Sequence, residues 1–269
     1  EVVDAGPTCG CTQWSTPRDA GVIPGVLNEL SGLVASRAQP GVLFAHNDSG
    51  DSARFFALSA ATGALLETFT LTGATATDWE DLTIGPCAVG TCVYLGDIGD
   101  NNRVRTDYAV YRVPEPQVSS GAMPVAWERL AFQYPNGDKH NAEALFMHPS
   151  GTLYVITKEA TGKSSVYCFP ALDPTTTVTL EFVAQLSVPA SGDSQLTGAD
   201  VNVCGTAVLL RMYNRLVELR LPADATNFED LFAVMPVQVP AAAEDQGEAV
   251  AYAADGAGYV TSSESPVNA

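Results

Sequence analysis

The stretch Asp78-Trp79-Glu80-Asp81-Leu82 decides the fold, because variants of it recur at broadly similar intervals along the chain. The five copies are Glu29-Leu-Ser-Gly-Leu33, Asp78-Trp-Glu-Asp-Leu82, Asn141-Ala-Glu-Ala-Leu145, Thr197-Gly-Ala-Asp-Val201 and Gln246-Gly-Glu-Ala-Val250. Each copy is followed by a turn and a second short apolar run. A repeated pattern of this kind indicates an array of similar supersecondary units.

Two further β-rich runs follow most copies. After the second copy they are Tyr108 to Arg112 and Glu128 to Phe132. Units of four short antiparallel strands are typical of β-propeller blades. The sequence therefore predicts an all-β, five-bladed β-propeller with four-stranded antiparallel blades. A six-bladed propeller, and a β-sandwich with chance similarities, stay open as alternatives.

The two ends of the chain share the last blade in this interpretation. The C-terminal residues supply its inner strands, and we expect the segment near Cys11 to Thr16 to add an outer strand. Such an N-terminal strand would close the ring without leaving an open sheet edge. The predicted organisation is a tail at residues 1–10 and a single propeller domain at residues 11–269.

The acidic charge of the chain limits the classes of partner that it is expected to bind. The formal net charge is −18 and the pI is about 4.3, so nucleic acid and anionic lipid are poor partners and cations are favoured. No run of uncharged apolar residues is long enough to span a membrane. We expect a monomer that binds a small molecule, a peptide or a glycan.

The cysteines indicate an oxidising compartment. Cys87 and Cys92 bracket a Gly-containing turn, which suits a disulfide across a hairpin, and a zinc site would need further paired ligands that the sequence lacks. The pairing of the other four cysteines stays open. Residues 1–8 are typical of a polar mature N-terminus. We therefore expect a secreted protein, extracellular or periplasmic, and a lipid-anchored precursor stays open.

The first strand of each propeller blade lines the central channel, so equivalent residues of the five copies form rings. Residues two apart in a strand share a face, so each middle residue faces the channel with the apolar residue two positions later. The middle residues are Ser31, Glu80, Glu143, Ala199 and Glu248. Three carboxylates from separate blades are therefore expected to converge on the axis.

Three carboxylates at one level would raise one another's pKa values. No Lys or Arg occupies the matching positions, so a bound cation is a simple way to keep them ionised. Oxygen ligands with flexible geometry favour Ca²⁺. We predict a Ca²⁺ site at Glu80, Glu143 and Glu248, completed by Ser31 and the carbonyl of Ala199. A water-filled channel with partly protonated glutamates is the alternative.

This order of residues resembles the inner strands of the calcium-activated nucleotidases, or apyrases, which are five-bladed propellers with Ca²⁺ in the central channel. In that family the positions read Ser, Glu, Glu, Ser and Glu; here they read Ser31, Glu80, Glu143, Ala199 and Glu248. The resemblance implies the same fold and ion. It departs at Ala199, and the outer loops do not match, so it does not imply nucleotidase activity. Residues 29–51 and 95–103 also resemble uncharacterised secreted bacterial propellers.

The loops before the first strand and after the second strand of each blade open on one face, the top face. We expect it to collect the candidate catalytic residues Asp48, Asp97, Arg103, Lys158 and Arg211. Asp48 or Asp97 would act as a base, and the basic side chains would steady negative charge on a phosphate or carboxylate group. The Asp- and Gly-rich loops are equally well explained as plain turns.

Three functions fit this pattern. The first is a Ca²⁺-dependent hydrolase of phosphate or ester bonds at the channel mouth, and the second is a non-catalytic binding propeller with a structural Ca²⁺. The third is a glycosidase, which needs two carboxyl groups flanking an open cleft. The sequence contains no GxSxG, P-loop, HExxH or dinucleotide-binding motif, so it leaves open whether the chain is an enzyme.

Overall fold

The computed structural model describes residues 13–119, 123–160, 163–186 and 195–264. The two helices in this part of the chain are short 3-10 turns, Pro135–Gly137 and Phe228–Ala233, and neither is long and apolar enough to cross a membrane. The strands, in chain order, are β1 Leu30–Ala35, β2 Val42–Asn47, β3 Arg54–Ser59, β4 Leu65–Thr70, β5 Trp79–Pro86, β6 Thr91–Asp97, β7 Ala109–Pro114, β8 Met123–Pro124, β9 Glu128–Gln133, β10 Ala142–Met147, β11 Leu153–Thr157, β12 Ser165–Cys168, β13 Val178–Thr179, β14 Glu181–Gln185, β15 Leu196–Val201, β16 Ala207–Met212, β17 Arg215–Arg220, β18 Val237–Val239, β19 Gly247–Tyr252 and β20 Tyr259–Ser263.

The strands form an all-β propeller arrangement, as predicted. Four sheets contain the expected four antiparallel strands, namely β1 to β4, then β5, β6, β7 and β9, then β10, β11, β12 and β14, and finally β15 to β18. A fifth sheet contains β19 and β20. The described residues thus form four complete blades, where the sequence predicted five.

The N-terminal strand expected near Cys11 to Thr16 is not found in the described part of that segment. No strand is assigned within residues 13–29, where Pro17 lacks a backbone N–H and disfavours regular pairing. The ring of Trp14 instead packs edge-on against Tyr259 of β20, with centroids 4.9 Å apart. Cys11 and the predicted tail at residues 1–10 lie outside the described residues.

The innermost strands surround one axis. β1 contacts β5, β5 contacts β10, β10 contacts β15, β15 contacts β19, and β19 returns to β1. A separate apolar cluster fills the space between each pair of neighbouring sheets, including the pairs that flank the two-stranded sheet. Strands buried on both faces need nearly continuous apolar runs, which explains the composition of β2, β6, β11 and β16.

Loops from one blade cover the outer edge of the blade before it. β8 leaves the second blade and pairs in parallel with β4, and β13 leaves the third blade and pairs in parallel with β9. The 3-10 helix Phe228–Ala233 has a similar role, because Leu231 and Phe232 pack into the cluster of the third blade. Each device protects an edge strand that would otherwise expose unpaired N–H and C=O groups.

The disulfide predicted between Cys87 and Cys92 is present, and it closes the β5–β6 hairpin. Cys168 is a free thiol. Cys204 is disulfide-bonded.

Asp81 joins three innermost strands at the axis. Its Oδ2 accepts the backbone N–H of Leu145 in β10 at 2.9 Å and that of Ala199 in β15 at 3.1 Å, while Oδ1 accepts the N–H of Leu82 at 2.8 Å. Asp200 acts in the same way on the other side of the ring, accepting the N–H of Tyr252 in β19 at 2.8 Å. These carboxylates replace the partners that the inner edges of the strands lack.

Replacing Asp81 by Ala should strongly destabilise the protein. The change leaves two inter-blade N–H groups buried without an acceptor, which costs about 3 kcal/mol of the free energy of unfolding. Urea denaturation followed by tryptophan fluorescence measures this. Asp245→Ala, at an exposed position, is the matched control and should stay within about 0.5 kcal/mol of the parent. A loss at Asp81 no larger than that of the control would refute the bracing role.

Candidate functional site

All five innermost strands contain a β-bulge at the same point. In β1, β5, β10 and β19 the extra, unpaired residue is Ser31, Glu80, Glu143 and Glu248, respectively. A bulge re-aims the side chain of the extra residue, and bulges are frequent beside functional sites. The backbone thus singles out four of the five predicted ring residues.

The fourth blade corrects the predicted ring. Its bulge falls at Thr197, between the pairs Leu196–Met212 and Gly198–Arg211, so Thr197 rather than Ala199 occupies the equivalent position. The backbone N–H of Ala199 is bound to Asp81. The Thr197 hydroxyl donates to the carbonyl of Gly247 in the next blade at 2.8 Å, and the Ser31 hydroxyl donates to the carbonyl of Glu80. Each of the two hydroxyls therefore donates to a backbone carbonyl of the next blade.

Three carboxylates approach one another closely at the top of the channel. Oxygens of Asp48, Asp78 and Glu80 lie within 4.8 Å of one another. Glu80 is only 4% exposed, and no donor among the described residues hydrogen-bonds to its carboxylate. Burial, and then the charges of Glu143, Asp48 and Asp78, raise the pKa of Glu80 well above its ordinary value.

Glu143 has a different environment, because a lysine enters the ring. Lys158, the first residue after β11, forms an ion pair with Glu143 at 2.7 Å and donates to the Tyr213 hydroxyl at 2.7 Å. Asn141 donates to the other Glu143 oxygen at 2.9 Å. Burial raises the pKa of Glu143, and Lys158 and Asn141 oppose that rise. The predicted trio of equivalent glutamates is therefore asymmetric.

Glu248 completes the carboxylate cluster, the name used here for Asp48, Asp78, Glu80, Glu143 and Glu248. Burial and then the charge of Glu143 raise the pKa of Glu248 to about 9, and burial and then Asp48 raise that of Asp78 to about 6. At the rim, burial and a hydrogen bond to Glu29 raise the pKa of Glu264 to about 7. These shifts have one physical origin: several acids share a poorly solvated space in which cations such as Lys158 offset only part of their mutual repulsion.

The five candidate catalytic residues separate into two groups. Asp48 and Lys158 lie at the cluster. Asp97 is buried in an ion pair with Arg105 at 2.7 Å, and its side chain also accepts the N–H of Asp78 at 3.0 Å, so it positions the Asp78 backbone. The Asp97 carboxylate thus accepts three hydrogen bonds from described residues, and its role as a base stays a prediction.

The other two basic candidates have structural partners. Arg103 is half-exposed and pairs with Glu159 at 2.8 Å. Arg211 is fully buried and pairs with Glu244 at 2.6 Å; its guanidinium fills the space beside Gly247, where a Cβ atom would lie only 1.3 Å from Nη2. Both side chains thus pair with a nearby glutamate, and the predicted role of each in steadying negative charge stays a prediction.

The prediction missed Asp78 as a member of the site and did not foresee how deep Lys158 lies. Asp78 opens the second copy of the repeated string and was not named as a site residue, yet its oxygen lies within 4.8 Å of those of Asp48 and Glu80. Lys158 was placed at the mouth but not inside the ring. The signal for both was available, because the residue before each first strand and the residue after each second strand lie on the top face together.

Comparisons with protein-family models and with curated proteins find no match. Among solved structures, the chain is similar to the PQQ-bound form of an aldose sugar dehydrogenase from Streptomyces coelicolor, with a TM-score of 0.45, 13% identity, and coverage of 91% of this chain and 93% of that chain. It is also similar to a putative 6-phosphogluconolactonase from Bacteroides uniformis, with a TM-score of 0.40, 14% identity, and coverage of 91% and 66%. Likeness at this level carries no argument about activity.

In chelator-treated protein, the free energy of unfolding should fall as the pH rises from about 5 to 9. The folded-state pKa values of Asp78, Glu264 and Glu248, about 6, 7 and 9, exceed the ordinary values. The folded protein therefore retains protons that the unfolded chain releases, and this stabilisation is lost as each group ionises. Urea titrations across that range measure the effect.

The matched variant for this measurement is Glu248→Gln. It removes the acid with the highest of these three pKa values, so it should flatten the pH dependence most between about pH 7 and 9. A free energy of unfolding that stays constant or rises over this interval would contradict the assignment of raised pKa values.

Proposed function

We propose that the chain is a calcium-binding propeller with its ion in the carboxylate cluster at the top of the channel. The observation that carries the proposal is the buried Glu80 carboxylate, which no described donor contacts and which lies beside Asp48 and Asp78. An ionised carboxylate without a donor is strongly destabilised in a buried site, and a divalent cation removes that cost.

The chemistry of the donor set supports Ca²⁺. The nearby groups are carboxylates and hydroxyls, with no His or Cys within the group of Asp48, Asp78 and Glu80. Hard oxygen ligands of irregular arrangement suit Ca²⁺ better than Zn²⁺ or Cu²⁺. Glu80 and Asp78 would hold the ion, Asp48 lies beside them as the candidate base, and Glu248, Glu143, Ser31 and Thr197 surround the site. Thr197 carries a hydroxyl, as the fourth position of the apyrase pattern does, which strengthens that resemblance.

We also infer that β19 and β20 belong to a fifth blade. Three features support five units: the ring of innermost strands, an apolar cluster on each side of the two-stranded sheet, and the bulge that β19 shares with the other four first strands. The edge-on contact of Trp14 with Tyr259 of β20 also supports this inference.

The same mouth is suited to hydrolysis of a phosphate or ester bond. A bound calcium ion supplies Lewis acidity toward a phosphoryl or carbonyl oxygen. Asp48 is the candidate base, because burial raises its pKa and it lies at the opening of the cluster. Lys158 provides positive charge at the site, and an anionic substrate would compete with Glu143 for its ammonium group.

The disulfides support a secreted location, and we keep the expectation of a monomer.

The second candidate is a binding propeller without catalysis. It is favoured by the internal pairing of Asp97, Arg103 and Arg211, which leaves fewer free polar groups at the mouth than the sequence predicted. In that case the ion is a structural pin, and the acidic mouth binds a peptide, a glycan or a small molecule.

Calcium should bind to one site with a dissociation constant on the order of 10⁻⁴ M, as in extracellular calcium modules. Isothermal titration calorimetry on chelator-treated protein measures this, and the melting temperature should rise with added Ca²⁺. Glu80→Gln should weaken binding at least tenfold, roughly, because it removes a carboxylate ligand.

Glu181→Gln is the matched control for the calorimetry, since Glu181 is an exposed strand residue outside the cluster. It should bind Ca²⁺ like the parent. Absence of binding heat, or equal affinity in Glu80→Gln and Glu181→Gln, would refute the proposed site.

If the protein is a hydrolase, turnover of a nucleotide, phosphomonoester or aryl ester should require Ca²⁺ and stop with EGTA. Asp48→Asn should lower kcat/KM by at least about 100-fold, the usual contribution of a general base, while Asp245→Asn leaves it unchanged. A panel of aryl glycosides tests the glycosidase hypothesis in the same assay. Calcium binding without turnover on any of these substrates would support the binding propeller instead.

A further inference from the structure

A pocket of about 190 Å³ opens at the end of the channel opposite to the carboxylate cluster. Glu80 and Glu143 lie near the beginnings of β5 and β10, whereas the pocket is lined by residues at the ends of these strands, Ile84 to Pro86 and Met147. We call it the bottom pocket. The two sites therefore face different mouths of the same channel.

Most of the pocket wall is apolar. Ile84 and Met147 are almost fully buried and form its floor, while Pro86 and Val203 lie nearer the rim. Gly85 has no side chain, which leaves the space that Met147 occupies, since a Cβ atom there would lie 2.1 Å from Met147 Cγ. The wall is built from several blades, so its shape depends on the assembled ring.

Arg37 is the charged residue of this wall. No described residue accepts a hydrogen bond from its guanidinium, and Nη1 is shielded from solvent without a protein acceptor. Glu115, the acid next to it, is already used: one oxygen accepts the N–H groups of Arg37 and Ala38, and the other accepts the Thr91 hydroxyl. Glu115 thus fixes the Arg37 backbone, and its carboxylate accepts no hydrogen bond from the Arg37 guanidinium.

Asp200, a buried acid near Arg37, accepts no hydrogen bond from the Arg37 guanidinium either. Burial raises the pKa of Asp200 to about 6, and the positive charge of Arg37 opposes that rise. Its two oxygens, however, accept the backbone N–H groups of Val201 and Tyr252, each at 2.8 Å. In a chain of net charge −18, an arginine at an apolar pocket whose guanidinium makes no hydrogen bond with a described carboxylate is unusual.

We propose that the bottom pocket binds a small organic monocarboxylate with an apolar body, of about the size of benzoate. The carboxylate would accept hydrogen bonds from Arg37, whose guanidinium matches carboxylate geometry. The apolar body would lie against Ile84, Met147 and Val203. The volume is appropriate, because an apolar cavity of about 150 Å³ accommodates benzene. A single cation and apolar walls favour a monoanion over phosphate.

The test uses protein labelled with ¹³C at the methionine methyl groups and titrated with benzoate. The Met147 methyl resonance should shift in a saturable way, because Met147 forms the pocket floor. The resonance of Met235, which is 79% exposed and does not line the pocket, is the internal control and should not move. Met147→Leu assigns the reporting signal. The titration needs no calcium, so it is independent of the site at the other mouth.

Arg37→Gln should weaken benzoate binding at least tenfold, roughly, since a charge-assisted hydrogen bond is lost. Arg129→Gln, which changes an arginine outside the pocket, should bind like the parent. In the parent protein, benzamide and acetate should each bind at least about tenfold more weakly than benzoate. Benzamide keeps the apolar ring but lacks the negative charge, and acetate keeps the carboxylate but lacks the ring.

Four results would overturn the proposal. The first is no saturable shift of Met147 up to about 50 mM benzoate, a concentration well above ordinary weak binding. The second is equal affinity of the parent and Arg37→Gln. Benzamide binding as tightly as benzoate would indicate a purely apolar cavity, and inorganic phosphate competing as well as benzoate would indicate a simple anion site. The ligand comparison in the parent protein decides the matter even if Arg37→Gln does not fold.

Discussion

The structure depends on how the inner edges of its first strands are satisfied. A ring of strands leaves one side of each first strand facing the axis, where N–H groups have no neighbouring strand to pair with. Asp81 accepts two of these groups from β10 and β15, Asp200 accepts one from β19, and the Thr83 hydroxyl accepts that of Met147. At the axis, side-chain oxygens therefore accept the backbone N–H groups that a neighbouring strand would accept elsewhere in a sheet. The channel is consequently polar for a structural reason as well as a functional one.

The recurring bulge links this architecture to the site. A strand with regular alternation would direct the neighbours Glu80 and Asp81 to opposite faces. The extra residue in each first strand breaks this alternation, so both side chains reach the channel. Glu80 joins the carboxylate cluster at the top, and Asp81 accepts hydrogen bonds from other blades. The site is consequently a property of the strand geometry, and the loops add only Asp48, Asp78 and Lys158.

Much of the fold was predictable, since the repeated strings place the first strand of every sheet and the alternating apolar runs place the next three. The register of the fourth blade was not assigned correctly, although the string Gln195-Leu-Thr-Gly198 matches Glu29-Leu-Ser-Gly32 better than the chosen one does. The absence of a glutamate in that blade removed the usual guide. The pairing of Lys158 with Glu143, and of Arg211 with Glu244, depends on tertiary distances that no local pattern encodes. Asp81 was overlooked because its position in the pattern is occupied by Gly or Ala in three of the other copies.

The parallel strands β8 and β13 give the chain a direction of assembly. Each belongs to one blade but seals the outer rim of its predecessor, so a blade is finished only when part of the next has been made. During synthesis, the edge strand β4 of the first blade would stay uncovered until β8 has been made. The edge strand β9 of the second blade would stay uncovered until β13 has been made. The blades are therefore not independent modules. Deleting one of them would uncover the edge strand of the preceding blade, which could then pair with other chains.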